Sequence, residues 1–214
     1  MARRSPLSKL HFCKRLQWAR NHMSYGDKWM ADLISDEKNG TSMDLTGLYN
    51  IGMIYDKSPG AFSVGKVVVD LSAFSFSGQV GLAFLDGRQN SPKYIETLEN
   101  HIMPFAENKG RRNREYQDDT NTSNATKNYL NSKNVTVLEW TPMSPDLNPI
   151  ENVWDFMPRK VYDNGGQFYS VNDLKTAIES AWYNSEPEIL QTLIMLMEKR
   201  AYDVILKSVK TLNH

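Results

Sequence analysis

Hydrophobic positions change their period along the chain, and each change marks an element. Lys9 to His22 follows Ser8, a helix-capping residue, and places Leu16, Ala19 and Met23 along one side with the lysines and arginines largely on the other. This predicts a helix packed onto the body. The run WMADLIS, Trp29 to Ser35, suits a short strand that delivers Asp36 and Glu37 into a stretch rich in Gly, Ser, Asn and Asp. Lys66 to Phe76 and Gln79 to Leu85 are β-rich runs separated by Ser77 and Gly78, the spacing of a tight antiparallel hairpin. Ser91 and Pro92 open a helix with Tyr94, Ile95, Leu98 and Ile102 at helical spacing, ending before Pro104. A polar, basic loop, Asn108 to Arg114, precedes Tyr116 and the pair Asp118 and Asp119; a short helix ending near Leu130 and a strand from Val135 to Trp140 follow.

The last third reads as helical. Asn148, Pro149 and Glu151 suit the N-cap, N1 and N3 positions of a helix bearing Ile150, Val153, Trp154, Met157 and Val161. Ser170 with Asp173 opens a second helix. Ser185 with Glu188 opens a third, whose apolar run extends from Leu190 to Ile205. Gly165 and Gly166 separate the first two. Pro158 inside the first helix removes a hydrogen bond and costs on the order of 3 kcal/mol, so that helix is expected to kink or end early.

Composition narrows the class. With 214 residues, 40% of them hydrophobic, and 25 basic against 25 acidic side chains, the chain can bury a substantial core and is not a disordered one. The longest apolar stretch, Val64 to Leu85, is broken by Lys66 and Asp70, short of the roughly 18 clean residues of a membrane helix. MARRSPLSKLHF has charge but no apolar run after it, so a secretory signal is not expected and the chain is expected to stay inside the cell. The single cysteine, Cys13, and four scattered histidines leave no zinc framework. Cys13 is expected on a helix near a core edge. Although the net charge is zero, residues 1–28 hold seven arginines and lysines against Asp27 alone, a local charge of +6. Arg3, Arg4, Lys9, Lys14, Arg15 and Arg20 thus form a candidate nucleic-acid contact, while a solvated helix face explains such a run about as well.

Three acidic positions stand where chemistry is possible: Asp36 at a strand end, Asp118 or Asp119 after a second strand, and Glu151 in the first turn of a helix. Carboxylates gathered at a sheet edge hold Mg²⁺, a hard cation that keeps waters and substrate phosphates in its shell. A pair of such ions serves in-line phosphoryl displacement. The same residues also serve as helix caps and surface charges, so residue type and spacing leave both readings open.

The segment SPDLNPIENVW, Ser144 to Trp154, strongly resembles the signature around the final acidic residue of transposases of the Tc/mariner superfamily. LISDEK, Leu33 to Lys38, is similar to the family segment with the first catalytic aspartate. Phe84 to Phe105 is similar to the strand and helix that follow, and Arg159 to Trp182 resembles the helical tail of the worm-type branch. The resemblance runs from about Leu7 to Lys207 and implies an α/β, RNase H-like fold: a mixed five-stranded sheet with flanking helices and a helical C-terminal tail. It implies a basic linker helix at 1–28, a catalytic core at 29–162 and a helical extension at 163–214, with the family's N-terminal helix-turn-helix units absent. The implied activity is that of a DDE-type enzyme, metal-dependent DNA cleavage and strand transfer, with Asp36, Asp119 and Glu151 ligating two Mg²⁺ or Mn²⁺ ions. Double-stranded DNA at element ends is the implied partner, with no small-molecule substrate and no membrane. A homodimer is left open, and the DNA substrate implies the nucleus.

The second acidic segment departs from the family pattern. Tyr116-Gln117-Asp118-Asp119-Thr120-Asn121 stands where the family has Gln-Gln-Asp-Asn and a histidine a few residues on. Asp119 is the best match and Asp118 the reserve; an ungapped comparison puts Tyr116 in the position instead. Asp119 and Glu151 enclose 31 residues, about three fewer than the family's interval. Gly40 replaces an aromatic residue, and Val64 to Asp70 replaces a Gly-rich run before a tryptophan. These departures also support an alternative, a catalytically inactive transposase remnant acting at most as a nucleic-acid or protein-binding module. Glu37 and Asp146 match the motifs too, with solvent-facing or turn-capping roles expected.

Overall fold

The fold is taken from a computed structural model of the chain, which describes residues 8–37, 69–84, 90–108, 115–118, 123–141, 143–163, 168 and 170–212. Among the described residues five short strands carry it: β1 (Ile34–Glu37), β2 (Val69–Ser75), β3 (Gly78–Phe84), β4 (Glu115–Asp118) and β5 (Thr136–Glu139). β1, β2 and β3 form an antiparallel meander, and β4 pairs parallel with β5. A parallel bridge between Leu33 and Tyr116 joins the two groups, with Leu33 N–H donating to Glu115 O at 2.9 Å and Gln117 N–H to Leu33 O at 3.0 Å. Through this bridge the described strands follow the order β3-β2-β1-β4-β5, a three-stranded and a two-stranded sheet joined at one point where a single mixed five-stranded sheet is expected. The β2–β3 hairpin turns at Phe76 and Ser77. Gly78, with φ +117°, supplies the backbone conformation there that side chains resist.

Strand alternation divides the core. Leu33, Leu71, Ala73 and Tyr116 face one side and pack with Tyr94 and Leu98 of α2 (Ser91–His101), Met103 of α3 (Met103–Asn108) and Leu130 of α4 (Asn124–Ser132). Ile34, Phe74, Leu82 and Leu138 face the other and pack with α5 (Ile150–Val161), α6 (Val171–Tyr183), α7 (Pro187–Met195) and α8 (Met197–Leu212). Trp18 and Ala19 of α1 (Lys9–His22) enter this second core as well, so it draws on residues from all three stretches set off in the sequence.

Side-chain caps account for four of the eight described helix starts. Ser8 Oγ accepts from His11 N–H at 3.2 Å, Asn90 Oδ1 from Lys93 at 3.0 Å, Ser123 Oγ from Thr126 at 3.2 Å and Ser170 Oγ from Asp173 at 3.0 Å. Ser185 breaks the pattern. Its hydroxyl donates back to Ala181 O at 2.8 Å, so α7 starts at Pro187 without a side-chain cap. The apolar run expected as one helix is two, divided at Leu196.

Other boundaries also differ from expectation. Trp29 lies in a 3-10 turn, Gly26–Met30, rather than in a strand; Gly26 adopts φ +60° there and donates its N–H to Glu198 Oε1 of α8. The buried side of α1 runs through Trp18 and Ala19 rather than Leu16 and Met23, because Trp18 packs edge-on against Trp140 with ring centroids 4.8 Å apart. Pro104, expected beyond a helix end, sits in the first turn of α3, where its missing N–H costs nothing. Pro158 does not end α5 early; the helix runs on to Val161, and Tyr162 N–H still reaches Pro158 O at 3.0 Å. Gly165, Gly166 and most of the loop from Asn108 to Arg114 lie outside the described residues.

Candidate active site

The site is defined by the carboxyl ends of β1 and β4 and by the start of α5. Asp36 belongs to β1, where it pairs in register with Ser72 of β2. Asp118 ends β4, paired with Glu139 of β5. The described residues stop short of the Asp36 and Asp118 side chains and of Asp119 altogether, whereas Glu151, in the first turn of α5, is described and half-buried. Among the described residues no three His, Cys, Asp or Glu side chains converge as a metal cluster.

Asn148 shows why SPDLNPIEN folds as it does. After the 3-10 turn Pro145–Leu147, its Oδ1 accepts from Ile150 N–H at 3.2 Å, while its Nδ2 donates to Ser35 O at 3.3 Å. One buried amide thus stabilises the start of α5 and fastens it to the residue before Asp36. The helix begins at Ile150, so Pro149 takes the cap position and Glu151 stands at N2, one place earlier than the capping pattern suggests. Ile150, Val153 and Met157 are fully buried and hold α5 on the sheet.

On the same face lie two buried polar atoms without hydrogen-bond partners: Ser72 Oγ, across from Asp36, and Gln117 Oε1 on β4. Apolar packing does not close this region. Tyr116 is fully buried in the opposite core, and its hydroxyl lies 3.1 Å from that of Tyr94, so it is a core residue rather than a ligand.

Two arginines meet the loop before Glu151. Arg15 grips Asp146 through two bonds of 2.8 and 2.7 Å, and this holds the Asp146 carboxyl below the usual carboxylate range. Arg200 donates to Asp146 O at 2.9 Å and to Asn152 Oδ1 at 2.5 Å. Arg15 is therefore committed to an ion pair, while Lys9, Lys14 and Arg20 lie exposed on α1; Arg3 and Arg4 fall outside the described residues. Cys13 is exposed on the same helix.

A second carboxylate group, absent from the sequence reading, sits before the amino ends of the same two strands. Asp32 is only 2% exposed, its Oδ2 has no partner, and burial followed by repulsion from Glu115 pushes its carboxyl up to about 8, with Lys28 opposing. The Tyr25 hydroxyl donates to Glu115. The signal was present in WMADLIS, where Asp32 is the one charged residue in an otherwise uncharged run.

No protein-family model matches the chain. The Tc3 transposase of Caenorhabditis elegans is 32% identical over 206 residues, covering 93% of this chain and 62% of the relative. The Tcb1 transposase of Caenorhabditis briggsae is 29% identical over 202 residues, covering 89% of this chain and 73% of the relative. The chain thus spans less than two thirds of the Tc3 protein's length. Among solved structures, the Mos1 mariner transposase catalytic domain superposes with a TM-score of 0.69 at 15% identity, over 95% of this chain and 96% of that one. The Mos1 paired-end complex with the left transposon end gives 0.72, again over 95% of this chain and 63% of that chain. The capped helices, the sheet order and these relatives agree: the chain is similar over most of its length to Tc1/mariner-type transposases and shares the fold of the Mos1 catalytic domain.

Proposed function

We propose that the chain is a DDE-type transposase catalytic domain that cuts and joins DNA strands through Asp36, Asp119 and Glu151. One observation carries this reading. The parallel bridge between Leu33 and Tyr116 runs β1 and β4 side by side in the same direction, so that Asp36 and Asp118 stand toward the carboxyl ends of neighbouring strands, the end of the sheet from which the chain goes on to residue 119. Asp119 is taken as the second ligand, with Asp118 in reserve, because it is the better match to the family pattern in the sequence. Asn148 brings the start of α5 to this end of the sheet, and Glu151 with it.

The residues fit divalent Mg²⁺ or Mn²⁺. The donors are carboxylates, and the unpartnered Ser72 hydroxyl and Gln117 carbonyl leave this face polar. Mos1 structures with Mn and with Mg are known for that protein. Two ions, when bound, would supply an activated attacking oxygen and charge stabilisation at the leaving oxygen. Asp36 would bind from β1, Asp119 from the chain after β4 and Glu151 from α5, while Asn148 ties β1 to the start of α5. Double-stranded DNA at element ends is the proposed substrate, with Lys9, Lys14, Arg20, Arg3 and Arg4 on phosphates, an affinity that falls steeply with salt. A homodimer and a nuclear location follow from that reading; the Mos1 paired-end complexes concern that protein's DNA. No helix among the described residues is long and apolar enough to cross a membrane.

The 31-residue interval between Asp119 and Glu151 favours a second reading, an inactive remnant that retains the fold. Thermal melts with and without Mn²⁺ separate the two. For the active reading, Mn²⁺ at about ten times its dissociation constant raises native stability by roughly 1.4 kcal/mol. It raises that of Asp36→Asn, Asp119→Asn and Glu151→Gln by less, and each substitution slightly stabilises the metal-free protein by relieving repulsion. A native melt indifferent to Mn²⁺, or an Asp119→Asn melt that responds like the native one, selects the remnant.

A further inference from the structure

Glu151 is bracketed by a brace that the acidic site itself does not require. Arg200, on α8, spreads its two terminal nitrogens across the start of α5: Nη1 to Asp146 O at 2.9 Å, before Glu151, and Nη2 to Asn152 Oδ1 at 2.5 Å, directly after it. Asp146 is held from the other side by the paired bonds of Arg15, on α1. We propose that Arg200, with the Arg15–Asp146 pair behind it, is a positioning residue for Glu151, through which the first and last helices of the chain set the geometry of the acidic site. The inference rests on the reading of Glu151 as a metal ligand.

Three features support it. Arg200 is anchored rather than free, since Met197, Ala201 and Val204 on either side of it are buried in the shared core and fix α8. Its contacts also need the planar fork of a guanidinium; a lysine ammonium is a point donor that cannot span both acceptors in that geometry. Finally, its Nε is buried without a partner, a cost tolerated where the terminal nitrogens are well used. The consequence is mechanical. Catalytic sites need their ligands held within about 0.5 Å, and Glu151 stands in the first turn of α5, two residues after Pro149, where its N–H reaches the Asn148 carbonyl at 3.3 Å rather than a carbonyl four residues back. Asn148 fixes this turn to β1, and Arg200 fixes it to α8.

The test compares the native chain with Arg200→Lys, Asn152→Ala and Glu151→Gln. Mn²⁺ binding is read from the paramagnetic resonance signal of the free ion, and folding from melts in chelator. The expected result is that Arg200→Lys and Asn152→Ala weaken Mn²⁺ binding about tenfold in protein that is folded by its melt, as loss of a group supporting a ligand does. Glu151→Gln weakens it at least as much. A purely structural Arg200 would lower the melt and leave the affinity of the folded protein unchanged, and that outcome overturns the proposal. If Arg200→Lys does not fold, Asn152→Ala decides alone, since it removes one arm of the brace. Native affinity in both brace variants beside a weakened Glu151→Gln refutes the positioning role only; native affinity in Glu151→Gln removes the ligand reading beneath it.

Discussion

Asp32 and Asp36 lie four residues apart on either side of Leu33, where β1 bridges to β4, and the two ends of that crossing treat a carboxylate in opposite ways. Before β1, Asp32 is sealed beneath the 3-10 turn, beside Glu115, and its carboxyl is pushed up to about 8. At the other end, Asn148 draws the start of α5 to Ser35, and the unpartnered Ser72 hydroxyl and Gln117 carbonyl leave the face polar. The difference lies in what surrounds the oxygen atoms. A buried acid near another acid keeps its proton, whereas acids gathered at a polar edge can keep their charge by sharing a cation. On the proposed reading, carboxylate position along a strand separates the structural acid, Asp32, from the metal-binding one, Asp36.

The largest effect should fall at the carboxyl end. Glu151→Gln or Asp119→Asn should reduce Mn²⁺-dependent plasmid nicking about a thousandfold or more, some 4 kcal/mol of barrier, while Asp32→Asn leaves the nicking rate unchanged. Equal losses at both ends would erase the contrast.

The sealed end should instead control stability through pH. Because the Asp32 pKa is raised on folding, its favourable contribution is fully present below the unfolded value near 4 and is lost as pH rises through about 8. Asp32→Asn should accordingly melt close to the native chain at pH 4 and above it at pH 9. The gain there should be about 2 kcal/mol, or 4–8 °C for a chain of this size. Calorimetric melts across that range check the sign.

The legibility of the sequence divides along similar lines. Helix caps were readable because Ser8 and Ser170 act on backbone within three residues, a local interaction. The hairpin at Gly78 was readable for the same reason. Ser185 was misread because its hydroxyl prefers a carbonyl four residues back in α6, an equally local choice that composition cannot rank. Trp29 was placed in a strand because the packing that curls Gly26–Met30 comes from Glu198 on α8, 172 residues away. At the site, SPDLNPIEN marked Glu151 and LISDEK marked Asp36. The parallel bridge between Leu33 and Tyr116, which brings the carboxyl ends of β1 and β4 side by side, is encoded by no local pattern.

Two smaller effects sharpen the account. Asn148→Ala removes both the cap on Ile150 and the tie to Ser35, and should cost about 1–2 kcal/mol in urea unfolding while weakening Mn²⁺ binding. Arg15→Met tests the ion pair. The Asp146 carboxyl is lowered by Arg15, so the pair's contribution is present above the unfolded pKa near 4 and disappears as pH falls below it. With Asp146 half exposed, the loss at pH 7 should be at most about 1 kcal/mol and should vanish near pH 2.

The central claim is that a divalent cation binds at the carboxyl end of the β1–β4 pair. Iron-directed backbone cleavage tests it most directly: Fe²⁺ loaded in place of Mg²⁺, with ascorbate and peroxide, cuts the chain only near the bound ion, and mass spectrometry locates the cuts. The account predicts cuts clustered at Asp36, Asp119 and Glu151 that excess Mg²⁺ suppresses. Cuts near Tyr25, Asp32 and Glu115 with none near Glu151 would place the ion at the sealed end and contradict it.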